Sequence, residues 1–289
     1  MQKTLQLGCA QGIVDTLGGE LISYKNNGRE YIWTGDPKYW TGHAPILFPF
    51  VSALKDNKVK FGSTICSTTA KHGFARKSQF ELTECTDTRA VFTLVSNEVT
   101  RAQYPYDFAL TIAHEISESG YKTTYTVKNT GNGDMQFCIG GHPGFCVDGS
   151  IEDYELKFEK AENADLYYTD ENSLFSEDYK FSKRMESDTF PLVYSDFDVD
   201  ALIAKDLRSR KVRLIKKSDG TGVELDFNGF QVLVLWTPPK KQAPFICLEP
   251  WNGLPALTNE SGNFEDKPYR IVLPAGEEYS VGYQVSVLK

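Results

Sequence analysis

Three side chains combine acid-base chemistry with an unusual local setting: His72, His142 and Glu249. An imidazole titrates near neutrality and can give or take a proton, as a general acid requires. His142 lies in the segment GGHPGF, directly after a strand-like stretch, where glycine and proline limit neighbouring bulk and favour an accessible ring. His72 precedes Gly73 in the segment KHGFAR. The alternative for each histidine is a turn or loop residue that is hydrogen-bonded to backbone.

Glu249 is the most informative acidic residue, because it follows the apolar run PFICL and precedes Pro250 and Trp251. A carboxylate that ends a buried strand is costly unless it has partners or a function. Burial would raise the pKa of Glu249 and make it a better base, and Trp251 offers a flat apolar face on which a sugar ring can stack. The alternative is an N-capping or salt-bridged glutamate. Arg76 could place its guanidinium group, with several hydrogen-bond donors, in the same cavity as His72.

The remaining histidines and the cysteines indicate structural roles. His43 lies in an aromatic-rich loop and His114 inside an alternating strand, where it faces solvent or a neighbouring strand, and we interpret both as structural. The six cysteines form no CxxC pair and no His/Cys spacing typical of a metal site. We therefore expect reduced thiols without a metal or redox role.

Charge and motifs exclude several classes of function. The formal net charge of -8 argues against a nucleic-acid partner, because such partners require a basic face. The sequence has no GxGxxG after a strand, no GxxxxGK[ST], no GxSxG and no HExxH, so the usual anchors of nucleotide, serine and zinc chemistry are missing. It shows neither a secretory signal nor an apolar run long enough for a membrane span, so we expect a cytoplasmic protein.

Alternating β-branched and polar residues bounded by turn residues predict a fold built from strands. The clearest examples are residues 90–96, 108–115, 121–128, 222–227, 230–237 and 279–287. Helical periodicity is weak, and no Pro/Ser-rich hinge divides the chain. We predict an all-β fold, a large antiparallel β-sandwich formed by one domain over residues 1–289, with a barrel as the alternative.

Six segments in a fixed order carry a family resemblance that spans nearly the whole chain. They are residues 44–60 (APILFPFVSALKDNKVK), 72–76 (HGFAR), 140–145 (GGHPGF), 200–209 (DALIAKDLRS), 230–237 (FQVLVLWT) and 245–251 (FICLEPW). With these segments the chain resembles the aldose 1-epimerase, or galactose mutarotase, family in its shorter, divergent bacterial branch. The resemblance implies a galactose mutarotase-like β-supersandwich with an open cleft for a monosaccharide, no metal and no cofactor. The sequence does not decide whether the protein is a monomer or a homodimer.

The resemblance also implies residue roles. Glu249 would remove the proton of the anomeric hydroxyl, and His142 would protonate the ring oxygen, so that the ring opens and recloses as the other anomer. His72 would stabilise charge on the ring oxygen, and Asp200 would hold ring hydroxyls. Many family members have an arginine shortly after the FPF segment, whereas this chain has Ala53. We hypothesise that Arg76 replaces it.

The leading hypothesis is therefore an isomerase that interconverts the anomers of a free hexose. A hexose-6-phosphate 1-epimerase is the first alternative. The negative net charge of the chain and the missing arginine count against it, because a phosphate group needs cations. A noncatalytic sugar-binding protein on the same fold is the second. A glycosidase is disfavoured, because such enzymes usually need two carboxylates, and the motifs here supply two histidines and one acid.

Overall fold

The computed structural model describes residues 1–68, 71–170 and 172–289, and the side chains of all of these except residues 176–182. In chain order the strands are β1 Gln2–Leu7, β2 Ala10–Asp15, β3 Glu20–Asn26, β4 Arg29–Glu30, β5 Ile46–Leu47, β6 Lys58–Phe61, β7 Thr64–Ser67, β8 Glu81–Cys85, β9 Arg89–Val95, β10 Phe108–Ser117, β11 Gly120–Asn129, β12 Met135–Phe137, β13 Ile139–Gly141, β14 Gly144–Cys146, β15 Tyr154–Phe158, β16 Ala164–Thr169, β17 Phe175–Met185, β18 Thr189–Pro191, β19 Leu202–Lys205, β20 Lys211–Lys216, β21 Gly222–Asp226, β22 Val232–Trp236, β23 Phe245–Asn252, β24 Ile271–Leu273 and β25 Glu278–Leu288. These bounds confirm the six strands predicted from alternation, with shifts of no more than two residues at their ends.

Helices are short, as the weak helical periodicity predicts. The one α-helix of the described residues is α1, Glu98–Arg101, and its N-cap Asn97 accepts hydrogen bonds from the backbone N–H groups of Val99 and Thr100. Single 3-10 turns occupy Lys55–Asn57, Ala75–Lys77, Ile151–Asp153, Tyr194–Phe197 and Phe264–Asp266. In the part of the chain that the structure describes, no helix has the length and apolar character needed to cross a membrane.

The strands form two large antiparallel sheets and three smaller ones. The nine-stranded sheet has the order β18-β15-β20-β21-β25-β11-β10-β9-β8, and the eight-stranded sheet has the order β17-β16-β19-β22-β23-β13-β5, with β14 also paired to β23. Strands β1 to β4 form a separate four-stranded sheet, and β6-β7 and β12-β24 are two-stranded. The sheets are open, so the molecule is the predicted sandwich and not the alternative barrel.

One apolar core joins the two large sheets. Leu110 and Ile112 of β10 enter it from the nine-stranded sheet, and Ile246 and Leu248 of β23 enter it from the eight-stranded sheet. Because side chains alternate along a strand, burying these residues directs their neighbours to the opposite face. Full burial of each such aliphatic side chain stabilises the fold by about 1.5–3 kcal/mol. The core thereby fixes which face of β23 carries Glu249.

Strand β23 does not end at Glu249, as the sequence suggested, but continues through Pro250 to Asn252. On one side it pairs with β22 over its middle, with Val234 opposite Glu249. On its other side the partner strand is interrupted between β13 and β14, where the Leu248 N–H donates to the Pro143 carbonyl. The backbone nitrogen of Pro250 points to this same side. Proline has no N–H to donate, and at the interruption no partner strand needs one. A proline is therefore tolerated inside this central strand.

Candidate functional site

The six residues that the sequence analysis selected lie around one cavity of about 220 Å³. His72, Arg76, His142, Asp200, Glu249 and Trp251 all line it. The cavity walls come from the eight-stranded sheet, through β16, β22 and β23, and from the loops at residues 40, 52, 71–76 and 173. Residues far apart in sequence thus meet because the sheet order brings β23, β13 and β14 together.

Glu249 and His142 form the central contact of the site. The His142 Nε2 atom lies 3.3 Å from the Glu249 Oε1 atom, and both side chains are buried. Burial raises the pKa of Glu249 well above its usual range, with a further contribution from the Asp200 carboxylate, while Arg76 acts in the opposite direction. Burial, together with the charge of Arg76, lowers the pKa of His142 to about 3. Among the described residues, Glu249 Oε2 and His142 Nδ1 have no hydrogen-bond partner.

His72 is held in a defined tautomer. The Nδ1 atom of its ring accepts a hydrogen bond of 3.0 Å from the backbone N–H of Ser52. The backbone N–H of His72 in turn donates to the Ser52 carbonyl. Because a backbone N–H can only donate, Nδ1 is unprotonated, and a neutral ring carries its proton on Nε2. Burial holds the pKa of His72 well below its usual range, and neighbouring cationic groups add to this effect. His72 is therefore a neutral hydrogen-bond donor.

The backbone around His72 explains the HGFAR segment. His72 itself has a φ of 66°, and Gly73 has a φ of 71°. A Cβ atom on residue 73 would lie 2.2 Å from the carbonyl oxygen of Phe48, so only glycine fits. This close approach fixes His72 over the cavity, with its ring centroid 5.5 Å from that of His142 and 5.8 Å from that of Trp251.

The wall that carries Asp200 contains a hydrogen-bonded chain. Asp200 Oδ2 accepts a hydrogen bond of 2.9 Å from the Thr169 hydroxyl and a long one of 3.5 Å from the Ser173 hydroxyl. The Lys71 ammonium group in turn donates to Ser173 Oγ at 2.5 Å. The carboxylate and the ammonium group therefore lie on one wall of the cavity, joined through the Ser173 hydroxyl.

Two cations line the cavity, and the sequence analysis identified only one of them. Arg76 is largely buried, and burial lowers its pKa, while the carboxylates of Glu20 and Glu249 act in the opposite direction. Lys71 is exposed and also lines a neighbouring cavity of about 450 Å³, together with Ala53 and Lys55. Lys71 therefore lines the same cavity as Ala53, the position at which the family resemblance led us to expect an arginine. The only signal for it in the sequence is its position directly before His72.

Three tryptophans line the cavity beside His142 and Glu249. Trp40 stacks on the His142 ring with centroids 4.8 Å apart, and Trp236 packs edge-on against the same ring at 5.5 Å. Trp251, selected from the sequence, lines the cavity beside them. Trp40 and Trp236 were missed, because the aromatic loop and strand that carry them have many apolar residues and no feature that singles out a site. Their rings place apolar surface around the His142 ring.

The segment at residues 43–45 positions His142 and is itself held by Glu20. The Glu20 carboxylate accepts hydrogen bonds from the N–H groups of His43 at 3.1 Å and Ala44 at 2.7 Å. The carbonyl of Pro45 accepts from the His142 N–H, and that of His43 accepts from the Gly144 N–H. The His43 ring lies against Glu20 and not in the cavity, in line with its structural interpretation.

His114 is buried outside this site, as its structural interpretation requires. Its Nε2 atom lies 2.8 Å from the Gly19 carbonyl, and its Nδ1 atom lies 3.0 Å from the Thr123 hydroxyl on the neighbouring strand β11. A carbonyl can only accept, so Nε2 donates and Nδ1 accepts from threonine. Of the two positions considered for this ring from the sequence, the neighbouring strand is the one observed.

Comparisons with known proteins agree with this architecture. The sequence profile of the aldose 1-epimerase family matches residues 4–286. Protein LacX of Lactococcus lactis subsp. lactis is 32% identical over 284 residues, which cover 94% of this chain and 95% of that protein.

Solved structures show the same fold. A galactose mutarotase related enzyme from Lactobacillus acidophilus superposes with a TM-score of 0.93 at 25% identity, covering 100% of this chain and 98% of that one. A galactose mutarotase-like protein from Lactobacillus casei ATCC 334 also gives a TM-score of 0.93, at 28% identity and with full coverage of both chains. The profile match over nearly the whole chain, and the identity to LacX, show that this chain belongs to the aldose 1-epimerase family.

Proposed function

We propose that this protein catalyses the interconversion of the α and β anomers of a free hexose. The observation that carries the proposal is the buried contact of 3.3 Å between His142 Nε2 and Glu249 Oε1 at a small cavity. With about 220 Å³, the cavity is smaller than the roughly 300–1,000 Å³ of pockets for drug-sized ligands, which suits a monosaccharide. A sugar in it can stack on Trp251 and direct its hydroxyls to Asp200 and Lys71.

The acid-base pair holds one proton that either member can carry. In the empty, buried site the neutral form is favoured, with the proton on Glu249 and a neutral His142, because burial penalises both charged groups. Transfer of this proton across the contact gives a carboxylate and an imidazolium. These are the base and the acid that ring opening requires.

Ring opening then uses both groups on one sugar. The Glu249 carboxylate removes the proton from the hydroxyl on C1, while the His142 imidazolium protonates the ring oxygen, and the bond between C1 and that oxygen breaks to give the aldehyde. Rotation about the C1–C2 bond presents the other face of the aldehyde. In reclosure, His142 takes the proton back from the C5 hydroxyl and Glu249 returns its proton to the oxygen on C1. The enzyme ends in its starting state.

His72 and Arg76 support the charge that develops in this reaction. The His72 Nε2–H can donate to the sugar oxygens at the anomeric end, because the Ser52 N–H occupies its other ring nitrogen. The Arg76 guanidinium lies near enough to Glu249 to oppose the rise in its pKa, so it favours the carboxylate form. Each interaction is stronger when the sugar oxygens or the base carry negative charge.

Polarimetry of a freshly dissolved α-hexose tests the proposal. We expect the protein to accelerate mutarotation above the spontaneous rate, and Glu249→Gln to lower kcat by about 100-fold or more, as loss of a general base does. Glu186→Gln, at an exposed glutamate outside the cavity, is the matched control and should leave kcat unchanged. If the wild-type protein leaves the mutarotation rates of several hexoses at their spontaneous values, the proposed enzymatic activity is refuted. Sugar binding without acceleration would support the noncatalytic sugar-binding alternative.

One observation favours a phosphorylated hexose as a second candidate substrate. Lys71 stands between the cavity and its neighbour, and Lys55 lines that neighbouring cavity, so two cations could bind a phosphate beyond the sugar ring. Comparing turnover of glucose and glucose 6-phosphate separates the candidates. If the phosphate ester is preferred and Lys71→Met abolishes only that preference, the second candidate replaces the first.

A further inference from the structure

Cys247 lies directly beside the acid-base pair, although the proposed reaction does not use it. It precedes Glu249 by two residues on β23, so the alternation of the strand places both side chains on one face. Cys247 is fully buried among Trp33, Ala243 and Phe245. Local sequence spacing gave no indication of a metal site, because the third member of the cluster, His142, comes from the gap between β13 and β14.

The donor atoms of His142, Cys247 and Glu249 all lie within 4.8 Å of one another. Two ligands about 2.0–2.1 Å from one tetrahedral zinc ion are themselves about 3.3 Å apart. The distance between His142 Nε2 and Glu249 Oε1 is 3.3 Å. The nitrogen and oxygen donors therefore already have the separation that a shared tetrahedral ion requires, whereas the Cys247 sulfur, within 4.8 Å of them, has to approach to about 3.6 Å by rotation of its side chain.

The cluster also contains polar atoms that lack partners. Glu249 Oε2 and His142 Nδ1 are buried without a hydrogen-bond partner among the described residues, so both side chains have unused bonding capacity. An ion bound to His142 Nε2 and Glu249 Oε1 replaces the direct contact between these two atoms. A buried site must neutralise a divalent charge, and the thiolate and the carboxylate together supply two negative charges. Arg76 acts against the cation, because its charge reaches both Cys247 and Glu249.

We propose that His142, Cys247 and Glu249 form a binding site for a thiophilic divalent cation such as Zn²⁺ or Cd²⁺, which inhibits the enzyme by occupying its acid and its base. A soft thiolate with imidazole and carboxylate donors selects these ions over Mg²⁺ and Ca²⁺. Binding of the ion is independent of the proposed function, whereas its inhibitory effect rests on it.

Ion binding releases two protons. One leaves the Cys247 thiol, which must become a thiolate, and the other is the proton that the pair of His142 and Glu249 holds. Because these protons compete with the ion for the same donor atoms, affinity for the ion should increase with pH.

Titration of the metal-free, full-length protein with Cd²⁺ tests the site directly. We expect one ion per chain by calorimetry, together with the ultraviolet absorbance of a cadmium–thiolate bond. Because Cys9 and Cys85 are exposed, all variants carry serine at both positions to remove adventitious binding. In that background Cys247→Ala should lose the ion and the absorbance, whereas Cys138→Ala, at another buried cysteine, should keep both.

Activity supplies the second readout. We expect Zn²⁺ to inhibit anomer interconversion competitively with the sugar, Mg²⁺ to have no effect, and Cys247→Ala to keep the basal rate with at least about tenfold weaker inhibition. Absence of stoichiometric Cd²⁺ binding in the parent protein, or its persistence in Cys247→Ala, refutes the site. Stoichiometric binding by a protein that accelerates no hexose supports the site and refutes only the proposed function.

Discussion

At the scale of single residues, burial acts in opposite directions on the two members of the acid-base pair. The pKa of the Glu249 carboxyl rises because its charged form is the anion, and the pKa of the His142 imidazole falls because its charged form is the cation. In the empty site these shifts widen the pH range over which the pair holds a single proton. In the proposed mechanism the pair is inactive only when it has gained a second proton or lost the first.

This argument gives an expected pH profile for kcat/KM, corrected for the spontaneous rate. A second proton must be added to His142, whose pKa lies at about 3, so activity should stay constant from neutral pH down to about pH 5. It should fall on the alkaline side, where the pH passes the raised pKa of Glu249. Polarimetry across a buffer series measures the profile. An acid limb with a midpoint at the ordinary histidine value of 6.5 would contradict the assignment.

The two cations of the cavity should differ in their effects. Arg76→Ala removes a charge that opposes the rise in the Glu249 pKa, so we expect kcat/KM to fall by about tenfold or more and the alkaline limb to move to higher pH. Lys71→Ala should raise KM, because Lys71 contacts the wall of Asp200 through Ser173, and should leave that limb in place. Steady-state polarimetry at several pH values separates them. Unchanged affinity and turnover in Arg76→Ala would remove the role we gave this arginine.

At the scale of elements, the site depends on an interruption of a strand. Between β13 and β14 the backbone leaves β23, and His142 enters the gap opposite Glu249 and Pro250. The segment at residues 43–45 accepts hydrogen bonds from the backbone N–H groups of His142 and Gly144. Glu20, the first residue of β3 in the four-stranded sheet, holds this segment, so a third sheet contributes to the position of the acid.

We therefore expect Glu20→Ala to lower kcat by about tenfold while KM changes little. The substitution leaves the N–H groups of His43 and Ala44 without an acceptor, at a cost of about 1–3 kcal/mol each, and lets the segment at residues 43–45 shift against His142. Glu20→Gln keeps an oxygen acceptor and should restore most of the rate. Polarimetry and thermal unfolding together measure both effects.

A matched control exists for this substitution. Glu162 is also buried and also accepts from two successive backbone N–H groups, those of Arg208 and Ser209, but it lies outside the cavity. Glu162→Ala should lower stability without lowering kcat. Equal losses of kcat in the alanine variants of both glutamates would show that general destabilisation explains the effect, and that Glu20 does not position the acid.

The elements also show what the sequence could predict. Alternation of apolar residues located strands such as β10 and β25, because that pattern is local. The contact between His142 and Glu249 could not follow from local patterns, since it depends on the order of strands in the sheet; only the family resemblance placed the two together. Trp40 and Lys71 were missed because loop residues have no periodicity that reports which way they face.

At the scale of the whole molecule, strands distant in sequence complete the large sheets. Strand β25 lies between β11 and β21 and so joins the early and late parts of the nine-stranded sheet. Composition and periodicity predicted the sandwich, because many half-buried strands need a second layer to cover their apolar faces. They did not predict this order, which is determined by contacts between distant segments.

The four-stranded sheet is joined to the nine-stranded sheet by His114, and this contact should make stability depend on pH. The ring of His114 on β10 donates to the Gly19 carbonyl, directly before β3, and burial lowers the pKa of His114 to about 4. Below the ordinary value of 6.5 the unfolded chain therefore binds a proton that the folded chain excludes, so this residue lowers stability as pH falls from 6.5 towards 4. At pH 4.5 the loss should reach about 2 kcal/mol. In urea unfolding, His114→Gln should have a lower free energy of unfolding than wild type at neutral pH, but should lose less of it as the pH falls. Parallel pH dependences of the two proteins would contradict a neutral, buried His114.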